Sequence, residues 1–307
     1  MNFQQLRIIR EAVQQGFNLT EVAAALFTSQ SGVSKHIKDL EDELGVELFQ
    51  RRGKRLLGLT EPGKELAIIV DRMLLDARNI KRLAEQFSSA DVGRLTIATT
   101  HTQARYALPQ IIARFKAEFP KVQLVLHQGS PAEIVALLQS GEADVGIATE
   151  ALDVVDQLVT FPFYDWHHAL VVPTGHPLAL LAAPTLEQVA DYPLITYHEG
   201  YTGRAGIDAA FAAAGLEPDI VMSALDADVI KTYVQLGLGV GIIAAMAFDP
   251  TRDPGLRLLP TPHLFRSNTT KIAVRRGRYL RGYVYRFLQE CIADLEETTV
   301  REAITAE

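Results

Sequence analysis

Over residues 1–90 the apolar positions recur at helical spacing. Phe3, Leu6, Ile9 and Val13 mark a first helix that Gly16 ends. Residues 18–44, NLTEVAAALFTSQSGVSKHIKDLEDEL, read as two short helices joined by a tight turn, and the N-terminal region is organised around them. Asn18 is placed to cap the first, with Glu21 closing a capping box, and Val22, Ala23 and Leu26 form its small apolar face. Thr28 or Ser29 caps the second, whose Val33, Ile37, Leu40 and Leu44 make one buried stripe, and Gly45 stops it. Strand-like runs at 46–49 and 56–59 flank Arg51-Arg52-Gly53-Lys54-Arg55, a hairpin with a basic tip. Thr60-Glu61-Pro62-Gly63 then opens a long helix. Its Leu66, Val70, Met73, Ala77, Ile80, Ala84 and Phe87 alternate at spacings of four and three, a heptad seam. A winged domain of this size offers the seam no partner, so a second subunit is expected there; packing within the chain is the alternative.

Ser88-Ser89-Ala90-Asp91-Val92-Gly93 is a polar hinge, and beyond it the pattern changes. Buried-strand runs at 95–99, 122–127 and 145–149 enclose helical runs at 104–119 and 132–139, a β-α-β-α-β order that predicts a parallel sheet with helices on its faces. A second set begins near Trp166, with strands at 169–172, 194–197, 220–223 and 240–244 and helices starting at Thr185, Gly203 and Asp226. A strand at 271–274 and a helix over 279–299 close the chain. The expected architecture is an N-terminal all-α winged helix-turn-helix with a linker helix, followed by an α/β region of two lobes around a cleft. Ligands in such folds bind at the carboxyl ends of strands.

The outer face of the second short helix carries the chemistry of a groove reader. Ser29, Gln30, Ser31, Ser34, Lys35 and Lys38 are small and polar at its start, with two cations one turn apart. Short side chains permit close approach, Gln and Ser bond base edges, and Lys meets phosphates. Arg51, Arg52 and Lys54 in the hairpin are placed for backbone phosphates. A solvated amphipathic pair and a charged turn are the plainer readings. The net charge of −7 does not oppose double-stranded DNA as partner, because it is uneven: residues 1–90 hold 13 Lys and Arg against 12 Asp and Glu, whereas residues 91–307 hold 17 against 25.

Past the first strand come Thr99-Thr100-His101-Thr102-Gln103-Ala104-Arg105, past the third Thr149-Glu150, and before a second-lobe helix Gly200-Tyr201-Thr202-Gly203-Arg204. Hydroxyls, amides and backbone N–H groups at helix starts form a site for an anion or small polar ligand. Plain N-capping is the alternative for any one threonine.

Other classes fit less well. No window approaches a membrane span, the N-terminus MNFQQLRIIREAV lacks an export signal, and the cytoplasm is expected. The lone Cys291 excludes an internal disulfide and a cysteine metal cluster. No G-x-S-x-G, H-E-x-x-H, complete G-x-x-x-x-G-K-S/T or dinucleotide fingerprint occurs, so no enzyme, catalytic residue or cofactor is expected. His167 and His168 are adjacent on a strand and face opposite ways, so no metal is assigned to them. A solute-binding protein would account for 93–307 and leave the winged region unexplained.

The block TSQSGVSKHIKDLEDELGVELFQRRGK with the later LT-x-PG step resembles the LysR-type transcriptional regulators. The motifs TTHTQARYALP, HQGSP, ATEAL, GYTGR, DADVIKTYVQLGLGVGIIA and HLF-x-x-xTTKI extend the resemblance to the whole chain and to the CysB/Cbl subgroup. That resemblance implies a winged helix-turn-helix at 1–60, a linker dimerisation helix at 61–90, and an effector domain of periplasmic-binding-protein type at 91–307. Within it, lobe I is about 91–163 and 267–307, lobe II about 164–266, with chain crossings near 161–165 and 264–268. It further implies an activator of cysteine-biosynthesis and sulfur-assimilation genes that binds promoter operators as a homodimer or homotetramer and contacts RNA polymerase. The implied effector is sulfate, thiosulfate or an acetylserine, held by Thr100, Thr102, Gln103, Thr149 and Thr202. The alternative within the subgroup is a Cbl-like regulator of sulfonate-sulfur use that answers to adenylyl sulfate.

Overall fold

The chain starts on a reciprocal capping box between Asn2 and Gln5, from which α1 (Phe3–Gln14) runs and buries Leu6, Ile8, Ile9 and Ala12. The computed structural model describes residues 1–53, 55–88 and 91–306, and divides into two units, Met1–Glu85 and Gln86–Glu307. Lys54 of the hairpin and Ser89 and Ala90 of the hinge lie outside the described residues.

Local chemistry sets the elements of the first unit. Phe3 and Val13, expected on the inner face of α1, lie at its margins and are exposed. Asn18 caps α2 (Leu19–Ala25) by accepting the Thr20 N–H, which takes the place of the expected box with Glu21. Ser29 caps α3 (Gln30–Leu44) by accepting the Gly32 N–H at 3.1 Å. The helix ends at Gly45 with φ +71°, a left-handed conformation that glycine adopts without a Cβ clash. Val33, Ile37 and Leu40 are buried, but Leu44 is exposed and Glu41 takes its place. The cause is the wing, β1 (Phe49–Arg52) paired antiparallel with β2 (Arg55–Leu59). The Glu41 carboxylate accepts the N–H groups of Leu48 at 2.8 Å and Phe49 at 3.2 Å and pairs with Arg51, so its buried charge is compensated.

Thr60 caps α4 (Glu61–Ser88) by accepting the Gly63 N–H at 3.1 Å. A Cβ at Gly63 would stand 2.0 Å from the Leu48 carbonyl oxygen, so the helix passes this close to the wing only with glycine there. The heptad seam requires correction. Val70 is 1% exposed, and Leu66, Val70, Met73 and Leu74 pack into one core with α1, α2 and α3, so the first half of the stripe has a partner in its own chain. Only the second half stays uncovered, with Ile80 68% and Phe87 84% exposed.

The second unit runs through β3 (Gly93–Thr99), α5 (Pro109–Glu118), β4 (Val122–Gln128), α6 (Pro131–Ser140), β5 (Val145–Ala148), β6 (Leu158–Trp166), β7 (His168–Pro173), α7 (Leu186–Ala190) and β8 (Leu194–Tyr197). It continues through α8 (Arg204–Ala213), β9 (Ile220–Ala224), α9 (Ala227–Gln235), β10 (Val240–Ala244), β11 (Leu256–Pro260), β12 (Asn268–Arg275), α10 (Gly282–Cys291) and α11 (Glu297–Thr305). Among the described residues these strands form two five-stranded sheets, one per lobe. Lobe I has the order β4-β3-β5-β12-β6 and lobe II the order β11-β7-β10-β8-β9. Neighbours β4-β3-β5 and β10-β8-β9 are parallel, as the β-α-β order predicts, while β6, β7, β11 and β12 add antiparallel pairs that make both sheets mixed.

Three expectations differ. The helix over 104–119 is a π-helical turn, Gln103–Ala107, followed by α5, because Pro109 cannot donate to the preceding turn and restarts the helix at its first position. The helix over 279–299 is two, α10 and α11, and the buried Leu295 anchors the break between them. β6 stays in the lobe I sheet up to Trp166, opposite Asn268, so the chain first crosses at His167.

Candidate functional site

The outer face of α3 presents Gln30, Ser31, Lys35 and Lys38 exposed and Ser34 half-buried, and the capping Ser29 lies 3.2 Å from the Ser31 hydroxyl. Gln30 and Arg55 line one groove of about 390 Å³ with Phe17, Asn18 and Thr20, which joins the start of the helix to the second strand of the wing. Arg55 belongs to the basic run and was passed over as a phosphate partner. Arg52 is exposed at the wing, whereas Arg51 is engaged by Glu41. The turn before α3 also exposes Phe27, 98% accessible with φ +50°, an apolar side chain of the kind that meets thymine methyl groups.

In the second unit the residues past the ends of β3 and β5 start side by side, because Thr99 aligns with Ile147 in parallel register. Thr100, Thr102 and Gln103 are buried past β3, and Thr149 is half-buried past β5. A residue that sequence reasoning did not select joins them. Thr270 of β12, fully buried, accepts at Oγ1 from the Gln103 amide at 3.2 Å and from the Trp166 indole N–H at 3.1 Å, and lies 3.3 Å from Thr149 Oγ1. Two donors fill the lone pairs of Thr270, so its own hydrogen points to Thr149. The Thr149 hydrogen is then directed elsewhere. Tyr164 donates to the other end of the Gln103 amide, and burial raises the pKa of this phenol above its ordinary value. The TTKI run carried the signal for Thr270, without indicating its partners. Thr102, 1% exposed, has no hydrogen-bond partner for its hydroxyl and lies close to the Tyr197 phenol of lobe II, whose pKa burial also raises.

Thr202, buried, sits in lobe II before α8 with φ +44°, followed by Gly203 at +71°. Consecutive left-handed residues turn successive N–H groups to one side, and a threonine held there is strained. The Gly203 N–H is taken by the Glu150 carboxylate of lobe I, a bridge across the cleft. A second bridge joins Asp228 of α9 to Tyr106 at 2.7 Å and Arg105 at 2.9 Å. His101, Asp226 and Asp228 bring three potential ligand atoms within 4.8 Å of one another. Asp228 also pairs with Lys231, so its charge is balanced by the protein itself. His168 is fully buried against Trp166 and Phe265, with ring centroids 4.9 and 5.7 Å away, in a structural setting.

Comparison with known proteins covers both units. Residues 3–64 match the bacterial regulatory helix-turn-helix protein family of the lysR type, and residues 88–296 match the LysR substrate binding domain. The HTH-type transcriptional regulator SsuR of Burkholderia cenocepacia is 58% identical over 99% of this chain and 100% of its own. The HTH-type transcriptional regulator cbl of Escherichia coli is 56% identical over 99% of this chain and 96% of its own. The HTH-type transcriptional regulator CysB of B. cenocepacia is 53% identical over 100% and 98%. The crystal structure of the cofactor-binding domain of the Cbl transcriptional regulator, 51% identical, superposes with a TM-score of 0.69 over 70% of this chain and 95% of that one. Full-length OxyR from Pseudomonas aeruginosa, at 24% identity and a TM-score of 0.68 over 96% of both chains, shares the fold. Among the described residues no helix is long and apolar enough to cross a membrane.

Proposed function

This chain belongs to the LysR family of DNA-binding transcriptional regulators, and from that membership we propose that it controls sulfur-assimilation and cysteine-biosynthesis genes in response to a small oxyanion held between its two lobes. The observation that carries the reading is the hydroxyl and amide network of Gln103, Thr149 and Thr270, beside the unpartnered Thr102 hydroxyl. Neutral donors solvate a fully ionised anion without a buried ion pair. Thr100 and Thr202 complete the set, with Thr202 reaching from lobe II. An effector that touches both lobes changes their equilibrium only as far as it binds two arrangements differently.

On the DNA side, Ser29, Gln30, Ser31, Ser34, Lys35 and Lys38 read the major groove, and Arg52 and Arg55, with Lys54, hold phosphates. Arg51 acts through the wing it ties to α3. The uncovered second half of α4 pairs with the same helix of another subunit, giving a dimer and, as a pair of dimers, a tetramer. The protein works in the cytoplasm and meets RNA polymerase at its promoters.

Calorimetric titration of the full chain with sulfate, thiosulfate, acetylserine and adenylyl sulfate, beside DNA shift assays, is the test. Thr100→Val and Thr202→Val should each weaken the effector by about 1.5–3 kcal/mol and leave DNA binding without effector intact. Wild-type affinity in both variants would reduce these threonines to helix-start residues. The identity with Cbl favours a second reading, adenylyl sulfate as the effector, and the same titration separates the two.

A further inference from the structure

Glu150 is a carboxylate of the cleft beside the hydroxyl network, and its surroundings suit a neutral acid better than an anion. It follows Thr149 past β5, on a loop that continues through Ala151 at φ +68°. One oxygen accepts the Gly203 N–H at the start of α8 from the opposite lobe. The other, Oε2, is buried without a hydrogen-bond partner, and so is the Thr102 hydroxyl of the neighbouring loop. An ionised carboxylate with a bare, buried oxygen is costly, and a protonated one converts that oxygen into an O–H donor.

We propose that Glu150 is a further effector-reading residue, that it must carry a proton on Oε2 for the cleft to accept a dianion, and that oxyanion binding therefore takes up a proton from solvent. The proposal rests on the reading of the cleft as an oxyanion site. Protonated, Glu150 adds a donor to the neutral set of Thr102, Gln103 and Thr149. Ionised, it repels sulfate and suits a ligand that brings an ammonium or N–H group, as an acetylserine does. One side chain thus sorts the two effector classes by its protonation state. Burial raises the Glu150 pKa above the ordinary carboxylate value, against the lowering effect of the N–H bonds it receives.

The titratable and charged neighbours are few. Arg204, beside Gly203, is committed to Asp208 and the Tyr197 carbonyl. His168 approaches Gly203 and is held neutral by burial. Asp228 is balanced by Arg105 and Lys231 and, with Asp226, lies near His101. His101, on the loop after β3, has a buried and unpartnered Nδ1.

The test is isothermal titration of the full-length protein with sodium sulfate from about pH 6 to about pH 8, in buffers of different ionisation enthalpy. Sulfate stays doubly ionised throughout. Wild type should take up as much as one proton per sulfate, with affinity falling toward about tenfold per pH unit at the alkaline end. Glu150→Gln, always neutral and a donor, should bind sulfate with no proton uptake and a flat profile. Sulfate binding by wild type without proton uptake overturns the proposal. So does a Glu150→Gln protein that keeps the wild-type pH slope. Failure of sulfate to bind either protein at any pH removes the oxyanion reading itself.

Discussion

The Nε2 of His168, on the first strand of lobe II, lies 3.0 Å from the backbone carbonyl oxygen of Thr202. A carbonyl only accepts, so Nε2 carries the hydrogen and Nδ1, 3.4 Å from the Asn268 amide nitrogen, is the acceptor. The neutral ring is satisfied at both nitrogens and fixes the loop that holds Thr202 against the crossing segment of lobe I. Burial, the largest cause, pushes its pKa down to about 4, against a raising effect of the Thr202 carbonyl.

That depression has a definite sign. The unfolded chain takes up a proton on His168 before the folded one does, so the stabilising effect is complete above about pH 6.5 and is lost as pH falls toward about 4. The loss amounts to about 3 kcal/mol at the acid end. Urea unfolding midpoints measured from neutral to mildly acid pH should fall in wild type and fall less in His168→Gln, which keeps a donor for Thr202. Parallel curves for the two proteins would assign the acid sensitivity to other groups.

Thr270→Val removes one oxygen and leaves two buried N–H donors, of Gln103 and Trp166, without an acceptor. Each such loss costs about 1–3 kcal/mol, and the Thr149 hydroxyl loses its orienting partner. Denaturant unfolding should show the destabilisation, and Thr270→Ser should restore most of it. A Thr270→Val protein as stable as wild type would mean that the network contributes little to the fold.

The basic wing residues should separate by role. Arg52→Ala and Arg55→Ala should each flatten the salt dependence of DNA binding by a slope of about 1. Arg51→Ala instead uncouples Glu41, so it should lower the melting temperature of the N-terminal unit. Gln30→Ala should relax base preference by about 1–3 kcal/mol. Anisotropy titrations over a salt series, paired with melts of each variant, are the measurement. An Arg51→Ala protein with unchanged melting and a flattened salt slope would return that residue to the phosphate contacts.

Assembly should depend on the far half of α4. Ile80→Lys places a charge on an exposed apolar position and should lower the oligomer in sedimentation while the subunits stay folded. Val70→Lys charges the winged core and should unfold it. An Ile80→Lys protein with the wild-type sedimentation coefficient would remove this stripe from the interface.

What could be read from the sequence was local. Ser29, Gly45, Thr185 and Asp226 act within one helical turn, and each ends or begins its helix where expected. β8 and β10 match the expected runs because they are buried along their whole length and read as unbroken apolar segments. The edge strands β6 and β11 escaped notice, since both carry proline, which an edge tolerates. Partners at long separation were also invisible. Thr270 meets Gln103 across 167 positions, and nothing in the spacing of either residue announces it. Val70 misled for a related reason: an apolar residue was assigned to a second subunit before the winged core was there to claim it.

The place of β12 has a consequence for how the polypeptide matures. This strand lies between β5 and β6 in its sheet, yet it follows the entire second lobe in the chain. On the ribosome β5 and β6 emerge early and wait with their facing edges unpaired. The lobe II strands, β7 to β11, are contiguous in sequence and can close their sheet first. Lobe I is finished last, by a strand inserted between two that were already made, which is the slow, non-local kind of step. A nascent or truncated chain that stops before Asn268 therefore carries a completed second lobe beside two open strand edges, and those edges are where it aggregates.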